Sequence, residues 1–361
     1  MKIMHVETGR HLYGGPQQVL YLCNGLANRG VDNVLVCLPG GELNTAARSE
    51  GIRVMNLECA GDLDLRFVWR LRQLLTENKP DIVHCHSRRG GDFLGGQAAA
   101  MAGIPAVVSR RVDNREADFL SSLRYRHFRK ILAISETIAA VLEDAGISRS
   151  RIQVIRSAVD AERFSAAPDV ELFRQLFNLG PDHFVIVSAG QFIPRKGHRF
   201  LLRAVADLKQ CNPQLKLILF GQGPLENELR ALSAELALGD VVQFAGFRQD
   251  LDDYLGCFDL LVHPAMREGL GVIALKASAA GVPVVGFSAG GLREVVAHEK
   301  TGLLVPSGDA DTLGGAMQTL IDDRELCSQY GRMAATRMRE EFSIAQMVNK
   351  HMTMYESILN A

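Results

Sequence analysis

The sequence has no apolar run long enough to cross a bilayer. Its longest apolar runs, such as residues 259–264, fall far short of the ~20 residues that a membrane-spanning helix needs. Charged side chains also occur too early after Met1 for a signal peptide. We therefore expect a cytoplasmic protein whose first strand begins at residue 2.

Cysteine-based sites and strong charge are missing as well. The seven cysteines are odd in number and show no Cys-x-x-Cys spacing, so neither a disulfide framework nor a zinc site is predicted. The formal net charge is only −1 and the basic residues form no long stripe, so nucleic acid is not an expected partner. The absence of Gly-x-Gly-x-x-Gly argues against a dinucleotide-dependent dehydrogenase.

Short β-rich runs alternate with helical patterns along the 361 residues. This alternation predicts parallel sheets built from βαβ units, and the length indicates two domains. Strands are predicted at 2–7, 33–38, 53–57, 81–86, 106–109, 131–134 and 152–155, and then at 184–189, 216–220, 241–244, 260–263, 282–286 and 302–305.

The predicted fold class is α/β, with two Rossmann-like, doubly wound domains at residues 1–165 and 166–342 that face a central cleft. A final helix, residues 343–361, would cross back onto the first domain. Ligands of open parallel sheets bind outside the carboxyl ends of the strands, so functional residues should follow strands.

Glycines follow several predicted strands and open helices. Gly14 and Gly15 stand before a helix that starts near Pro16, and Gly221 and Gly223 repeat this plan. Such glycines let the backbone approach a ligand, and a helix N-terminus favours an anion. A plain tight turn is the alternative.

Two adjacent cations, Arg195 and Lys196, lie at the end of the strand 184–189 and just before a helix. A guanidinium fork beside an ammonium point charge suits a diphosphate. A solvated surface pair is the alternative interpretation.

A carboxylate directly precedes a further helix start. Glu268 stands before Gly269, Leu270 and Gly271. Free amides in the first helical turn can bind phosphate oxygens, while Glu268 can accept hydrogen bonds from sugar hydroxyls. The alternative is that Glu268 only caps its helix.

In this order and spacing, the segments resemble glycosyltransferase family 4, the retaining, nucleotide-sugar-dependent enzymes of the GT-B fold. The resemblance covers nearly the whole chain. It depends on Gly14-Gly15, Asp81-Ile-Val-His-Cys-His86, Gly190 to Gly197, Gly221-Gln-Gly-Pro224, Phe244-Ala-Gly246, Glu268-Gly-Leu-Gly271, Gly281-Val-Pro-Val-Val285, Gly290-Gly-Leu-Arg-Glu294 and Lys300-Thr-Gly-Leu-Leu304.

The resemblance implies a nucleoside-diphosphate sugar in the second domain, with its phosphates on Arg195, Lys196 and the Gly269–Gly271 helix start. UDP is the favoured carrier, and the implied acceptor is a glycan or glycolipid of the cell envelope, such as lipopolysaccharide. His86 would face the donor sugar. The nucleotide sugar is a co-substrate, and neither a cofactor nor a metal is expected, although Asp62-Leu-Asp64 and Asp250-Leu-Asp252 superficially look like metal motifs.

Two positions depart from the family. Lys276 replaces a glutamate that holds the ribose, and Gln191 replaces an arginine of the phosphate loop. One hypothesis is that Lys276 supplies the missing cation and binds the donor. Lost catalysis is the alternative, so a non-catalytic subunit stays open, as does a nucleotide-sugar epimerase of the same architecture.

The first half of the chain is the basic half. Residues 1–165 contain 22 Lys and Arg against 18 Asp and Glu. Arg88, Arg89, Arg110 and Arg111 follow strands and are predicted to bind an anionic acceptor. The run 119–130 has four cations and no acid, which predicts salt-sensitive attachment to the anionic inner face of the membrane. A solvated amphipathic helix is the alternative.

Overall fold

The computed structural model describes residues 1–86 and 90–360. The chain divides into two compact α/β units, Met1–Ala158 with Ile344–Ala361, and Val159–Ser343. The sequence predicted a boundary at residue 165, whereas residues 159–165 belong to the second unit.

The first unit contains a parallel sheet of seven strands in the order β3-β2-β1-β4-β5-β6-β7. The strands are β1 Lys2–Glu7, β2 Asp32–Cys37, β3 Val54–Asn56, β4 Ile82–Cys85, β5 Ala106–Arg110, β6 Phe128–Ala133 and β7 Ile152–Val154. The helices between them are α1 Gly14–Ala27, α2 Glu42–Ser49, α3 Leu65–Asn78, α4 Gly91–Ala102, α5 Asp118–Tyr125 and α6 Glu136–Asp144, followed by a 3₁₀ turn, Arg149–Arg151.

Strand order fixes the helix layers of this unit. Connections between parallel strands are right-handed, so helices that connect strands in opposite directions across the sheet cover opposite faces. Accordingly, α4 packs against both α3 and α5 on one face. On the other face α1 packs against the last helix of the chain, Ile344–Leu359.

That last helix completes the core of the first unit. Its Met347, Val348 and Tyr355 are buried together with Ile3 and Leu22. The helix approaches α1 so closely that a Cβ atom at Gly25 would lie 2.4 Å from a methyl carbon of Val348.

The second unit contains a parallel sheet of six strands in the order β10-β9-β8-β11-β12-β13. The strands are β8 Phe184–Ala189, β9 Leu215–Phe220, β10 Val242–Gly246, β11 Leu260–His263, β12 Val284–Phe287 and β13 Gly302–Val305. Its helices are α7 Ala161–Phe164, α8 Val170–Leu176, α9 His198–Leu208, α10 Glu226–Glu235, α11 Val272–Ala279, α12 Leu292–Val295, α13 Ala310–Asp322 and α14 Arg324–Glu341. Two 3₁₀ segments lie at Pro194–Lys196 and Leu251–Cys257. The last helix of the chain, Ile344–Leu359, belongs to the first unit and is α15.

The predicted α/β class of two parallel-sheet domains is confirmed, and each predicted strand has a counterpart. Central strands such as β8 and β11 are buried along their whole length, as expected for parallel strands covered on both faces. The basic run 119–130 is not one helix, because α5 ends at Tyr125 and β6 begins at Phe128. Within the described residues, no helix combines the length and the apolar character that a membrane span requires.

Candidate active site

Two loops of the second unit are joined through their backbones next to Lys196. The first loop follows β8, and the second follows β11. The amide of Met266 donates a hydrogen bond to the carbonyl of Arg195 at 2.8 Å. Gly197 has φ +69°, and a Cβ atom there would lie 1.9 Å from the carbonyl oxygen of Pro264. This contact therefore requires glycine.

The Glu268 carboxylate is the meeting point of these loops. Lys196 Nζ donates to Glu268 Oε2 at 2.5 Å, and His263 Nε2 lies 2.8 Å from the same oxygen. The amide of Gly269 donates to Oε1 at 3.1 Å. The structure thus brings together Lys196 and Glu268, which were both predicted as site residues, and adds His263, which was not.

Electrostatics fix the charge of each group. Burial works against ionisation of Glu268, but the hydrogen bonds from His263 and Lys196 and the charge of Lys196 outweigh it, so the pKa of Glu268 is lowered. Burial lowers the pKa of His263 despite Glu268, and Lys196 and Arg195 add to this effect. A neutral His263 beside an ionised carboxylate must donate from Nε2, since the carboxylate only accepts.

Arg195 has a different position from Lys196. Its side chain is exposed, and its charge acts on His263. Burial, with His263 and Lys196, also lowers the pKa of His198 to about 3. The two histidines of the site, His198 and His263, are therefore neutral. The positive charge of the site comes from Arg195 and Lys196.

The main-chain carbonyl of Glu268 contacts the glycines that follow β12. Gly291 N–H donates to the Glu268 carbonyl at 2.9 Å, and a Cβ atom at Gly290 would lie 2.0 Å from that oxygen. Gly271, with φ +95°, precedes α11, and Leu270 is buried. The first amides of α11 have no partner within their own helix, so this helix start can bind an anion.

Gly221 and Gly223 allow close packing of two loops. A Cβ atom at Gly221 would lie 1.9 Å from the Gly190 carbonyl oxygen, and one at Gly223 would lie 2.6 Å from that of Phe192. Gln191, which lies between Gly190 and Phe192 in the sequence, is exposed. Direct contact of these residues with a donor stays a prediction.

Lys276 is paired with Asp252 of the second Asp-x-Asp motif. Its Nζ donates to both carboxylate oxygens, at 2.9 and 2.6 Å. Asp250 of the same motif binds Arg248 through two hydrogen bonds. The positive charge of Lys276 is thus balanced by Asp252. Donor binding by Lys276 stays a prediction.

In the first unit, His86 belongs to a cluster of buried histidines. It follows β4, and its Nε2 lies 3.0 Å from His5 Nδ1. The ring of His84 lies 3.8 Å from that of His86, centroid to centroid. His84 is hydrogen-bonded to Tyr355 of α15 at 2.6 Å and to Ser109 at 2.8 Å.

Burial keeps these imidazoles neutral. It lowers the pKa of His5 to about 3, with a contribution from His351, and that of His351 to about 4. The pKa values of His84 and His86 are also lowered, first by burial and then by the neighbouring rings and Arg111. The ligand atoms of His5, His84 and His86 lie within 4.8 Å of one another, a spacing that a metal ion could bridge. Contact of His86 with a donor sugar stays a prediction.

Arg110 does not support the predicted acceptor role. Its guanidinium is buried and donates to the carbonyls of Val112 and Asn114, to Glu116 and to the Tyr125 hydroxyl. All three of its nitrogens are thus used to hold the segment after β5.

Arg111 remains a candidate for the acceptor site. Its Cδ would lie 3.4 Å from a Cβ atom at Gly15, one of the glycines that open α1. Burial lowers the pKa of Arg111 to about 10, which Glu7 partly counteracts. Arg88 and Arg89 lie outside the described residues.

The basic run 119–130 is less exposed than its sequence suggests. Arg124 is ion-paired with Asp92 at 2.9 Å and with Glu116 at 3.1 Å. Lys130 donates to the carbonyl of Ser150 at 2.7 Å. Arg126 donates to Gln97 Oε1 at 3.0 Å. Three of the four cations of this run are therefore engaged within the unit.

Two family models match consecutive parts of the chain. The model described as Glycosyltransferase Family 4 matches residues 13–163, and the one described as Glycosyl transferases group 1 matches residues 169–337. The chain belongs to glycosyltransferase family 4. The glycine, lysine and glutamate segments described above all lie within these two matches.

Relatives of this family 4 glycosyltransferase can be aligned with it over nearly its whole length. The lipopolysaccharide core biosynthesis glycosyltransferase LpsD of Rhizobium meliloti is 29% identical and covers 99% of this chain and 98% of its own. A UDP-Gal:α-D-GlcNAc-diphosphoundecaprenol α-1,3-galactosyltransferase of Escherichia coli is 24% identical, with 98% and 96% covered. The crystal structure of Anabaena HepE in complex with UDP has a TM-score of 0.87 at 22% identity, covering 99% and 100%, so the glycosyltransferase shares its fold.

Proposed function

We propose that the protein transfers a sugar from a UDP-sugar to an anionic glycan or glycolipid of the cell envelope, with retention of the anomeric configuration. The observation that carries the proposal is the convergence of Lys196 and His263 on the Glu268 carboxylate, 2.5 and 2.8 Å away, at the start of α11. The relatives named for lipopolysaccharide and diphosphoundecaprenol substrates support the acceptor class. The UDP complex of a protein with the same fold supports the donor.

In the proposed reaction, the bond between the anomeric carbon and the diphosphate oxygen breaks while the bond to an acceptor hydroxyl oxygen forms on the same face. The hydroxyl proton passes to the departing diphosphate. Lys196, Arg195 and the first amides of α11 stabilise the charge that develops there. A single preorganised donor of this kind is typically worth roughly 3–4 kcal/mol of the barrier.

The ionised Glu268 has a separate role. Its Oε2 holds Lys196 and His263, while Oε1 accepts a hydrogen bond from the Gly269 amide. A carboxylate oxygen accepts more than one hydrogen bond. We therefore propose that Glu268 positions Lys196 and accepts hydrogen bonds from hydroxyls of the donor sugar.

We also propose that the reaction needs no divalent metal, because Lys196 and Arg195 can supply the positive charge at the diphosphate. The acids of both Asp-x-Asp motifs have other partners. Asp64 caps α3 and binds Arg70, and Asp252 binds Lys276. Activity that survives EDTA supports this part of the proposal, and activity restored only by Mg²⁺ or Mn²⁺ contradicts it.

The first experiment is a thermal-shift panel of nucleoside diphosphates and their sugars. A ligand at 100 times its Kd stabilises the folded protein by ~2.7 kcal/mol. We expect UDP and a UDP-sugar to raise the Tm most. Transfer to an envelope glycolipid, followed by NMR of the new anomeric linkage, then tests acceptor and retention. Conversion of the donor into a sugar isomer without acceptor would show an epimerase instead.

A further inference from the structure

Three buried histidines of the first unit lie on one face of its sheet. His5 and His84 are directly opposite each other in the pairing of β1 with β4, and His86 follows His84 by two residues. Side chains two residues apart along a strand lie on the same face. His5 and His84 are fully buried, and His86 is 3% exposed. Nitrogens buried this deeply need partners within the protein or in a ligand.

His84 has both of its ring nitrogens engaged. Nδ1 is hydrogen-bonded to the Tyr355 hydroxyl at 2.6 Å, and Nε2 to the Ser109 hydroxyl at 2.8 Å. A metal ion would have to displace one of these hydroxyls to reach His84. The positive charge of Arg111, which lowers the pKa of both His84 and His86, also opposes a bound cation. The cluster is therefore a hydrogen-bonded unit rather than a metal site.

His5 and His86 share one hydrogen bond, with His5 Nδ1 3.0 Å from His86 Nε2. Burial keeps both rings neutral, because it lowers both pKa values. A neutral imidazole has one N–H and one lone pair, so a single proton lies between the two facing nitrogens. The other two nitrogens, His5 Nε2 and His86 Nδ1, are buried and have no hydrogen-bond partner among the described residues.

Two proton arrangements are compatible with this contact. If His86 donates from Nε2, His5 carries its N–H on Nε2, inside β1, where it is a buried donor without an acceptor. If His5 donates from Nδ1, His86 carries its N–H on Nδ1. His86 follows β4, at the carboxyl end of the sheet where ligands bind, so a substrate oxygen can accept from it there. Orphaned buried N–H groups are rare in proteins, which favours the second arrangement.

We propose that His5 is a positioning residue that donates to His86 Nε2 and thereby fixes His86 as the tautomer with its proton on Nδ1. His86 then donates a hydrogen bond to an oxygen of the sugar donor or of the acceptor. It has no free lone pair that could take a proton from the acceptor hydroxyl, so that proton is left to the departing diphosphate. The substrate in this inference rests on the proposed sugar transfer, whereas the tautomer does not.

The first test is a long-range proton–nitrogen correlation spectrum of the whole chain with isotope-labelled histidine, which separates protonated from unprotonated ring nitrogens. His86→Gln assigns the signals of His86 by their loss. We expect the wild type at neutral pH to show His86 protonated on Nδ1 and unprotonated on Nε2. A proton on Nε2, or a mixture of both tautomers, would overturn the proposal. The spectrum needs no turnover, so its result is independent of the transferase activity.

Two variants of His5 separate its proton from its volume. His5→Asn keeps an N–H donor close to the position of Nδ1 and should retain the tautomer of His86. His5→Leu removes the donor and should let the proton of His86 move to Nε2. Retention of the tautomer in His5→Leu, or its loss in His5→Asn, would contradict the proposal. If His5→Leu does not fold, the wild type and His5→Asn decide the question.

The matched control is Ser109→Ala. It removes a hydrogen bond from His84 in the same cluster but leaves the contact between His5 and His86 in place. The tautomer of His86 should therefore be unchanged. A changed tautomer in this variant would show that His86 responds to any disturbance of the cluster, and the specific role of His5 would be refuted.

Kinetics then test the contact with substrate. We expect kcat/KM to fall about tenfold in His5→Leu, as for one lost hydrogen bond, and to stay near the wild-type value in His5→Asn. Varying the UDP-sugar and the glycolipid separately shows which of them supplies the oxygen. A changed tautomer with unchanged kinetics for both substrates would refute the contact. No transfer by the wild type would refute the proposed function and leave the tautomer to be decided by the spectrum.

Discussion

Lys276 and Asp252 form a two-point ion pair, with the ammonium nitrogen 2.9 and 2.6 Å from the two carboxylate oxygens. Lys276 lies on α11, whose first turn adjoins Glu268, and Asp252 lies on the 3₁₀ segment Leu251–Cys257. Arg163 also approaches Asp252, at 3.9 Å. The lysine that replaces the family's second glutamate is thus paired with a carboxylate of the same unit, that of Asp252.

We predict that Lys276→Glu lowers stability, because it places a second carboxylate beside Asp252. The expected loss is about 1–3 kcal/mol, between the value of a surface pair and that of a buried one. Denaturant titration of Lys276→Glu, and of this variant combined with Asp252→Lys, measures the effect. The combined variant should recover stability, and failure to recover would show that the pair contributes little.

The same variants test donor binding by Lys276. If its charge supports the donor, Lys276→Glu weakens donor affinity and turnover, and the charge-swapped double variant stays weak although its stability is restored. Donor affinity and turnover equal to the wild type in Lys276→Glu would show that Lys276 does not replace the missing cation of the phosphate loop.

We predict that Gly290→Ala impairs activity by displacing Glu268. Gly290 has φ +54°, and the added Cβ atom would lie 2.0 Å from the Glu268 carbonyl oxygen. The matched control is Gly315→Ala in α13, where a Cβ atom meets nothing within 4 Å. Alanine in a helix interior stabilises by roughly 0.5–1 kcal/mol relative to glycine. We therefore expect Gly290→Ala to lower both the Tm and kcat/KM, and Gly315→Ala to raise the Tm slightly and leave kcat/KM unchanged. Equal activity in both variants would refute this role of Gly290.

Two adjacent arginines should behave differently. Arg110→Gln removes a buried guanidinium that donates to four partners, so we expect a loss of about 2–4 kcal/mol in the free energy of unfolding. Arg111→Gln should leave stability closer to that of the wild type but raise the KM for an anionic acceptor. The prediction fails if Arg110→Gln unfolds at the wild-type denaturant concentration.

We predict that the protein loses stability on mild acidification. His5, His84, His86 and His351 are neutral in the folded state because their pKa values are lowered. Histidines of the unfolded chain bind protons below about pH 6.5. The unfolded state therefore binds more protons than the folded state as the pH falls, so the stabilisation is complete above about pH 6.5 and declines below it.

The measurement is the denaturation midpoint of the first unit between pH 7 and 5. Each histidine contributes a slope of up to about 1.4 kcal/mol per pH unit. His351→Gln should make the decline shallower. A midpoint that does not change over this range would contradict the neutral cluster.

The strand pattern of the chain could be predicted because parallel strands read as continuous apolar runs bounded by turns. The cluster around His86 could not. His5 and His84 are directly opposite each other in the pairing of β1 with β4, and this contact follows only once the strand order is known. Tyr355 joins the cluster from the far end of the chain.

The residues of the candidate site could also be predicted only in part from the sequence. Glu268 and Lys196 could be predicted because each lies between a strand and a helix, where glycines mark the turns. His263 is the last residue of a buried strand, and its sequence gives no sign that it donates to Glu268. Arg110 and Arg111 are neighbours in the sequence, but only the structure shows that the guanidinium of Arg110 is fully used within its own loop.

The most direct test of the central claim is calorimetric titration of UDP and of uridine into the wild type and Lys196→Gln. If Lys196 binds the diphosphate, UDP binds the wild type and its Kd rises at least about tenfold in Lys196→Gln, since a charge-assisted hydrogen bond is worth roughly 1.5–3 kcal/mol. Uridine, which has no phosphate, should bind both proteins equally. UDP affinity that is the same in both proteins, or no UDP binding by the wild type, would contradict the account.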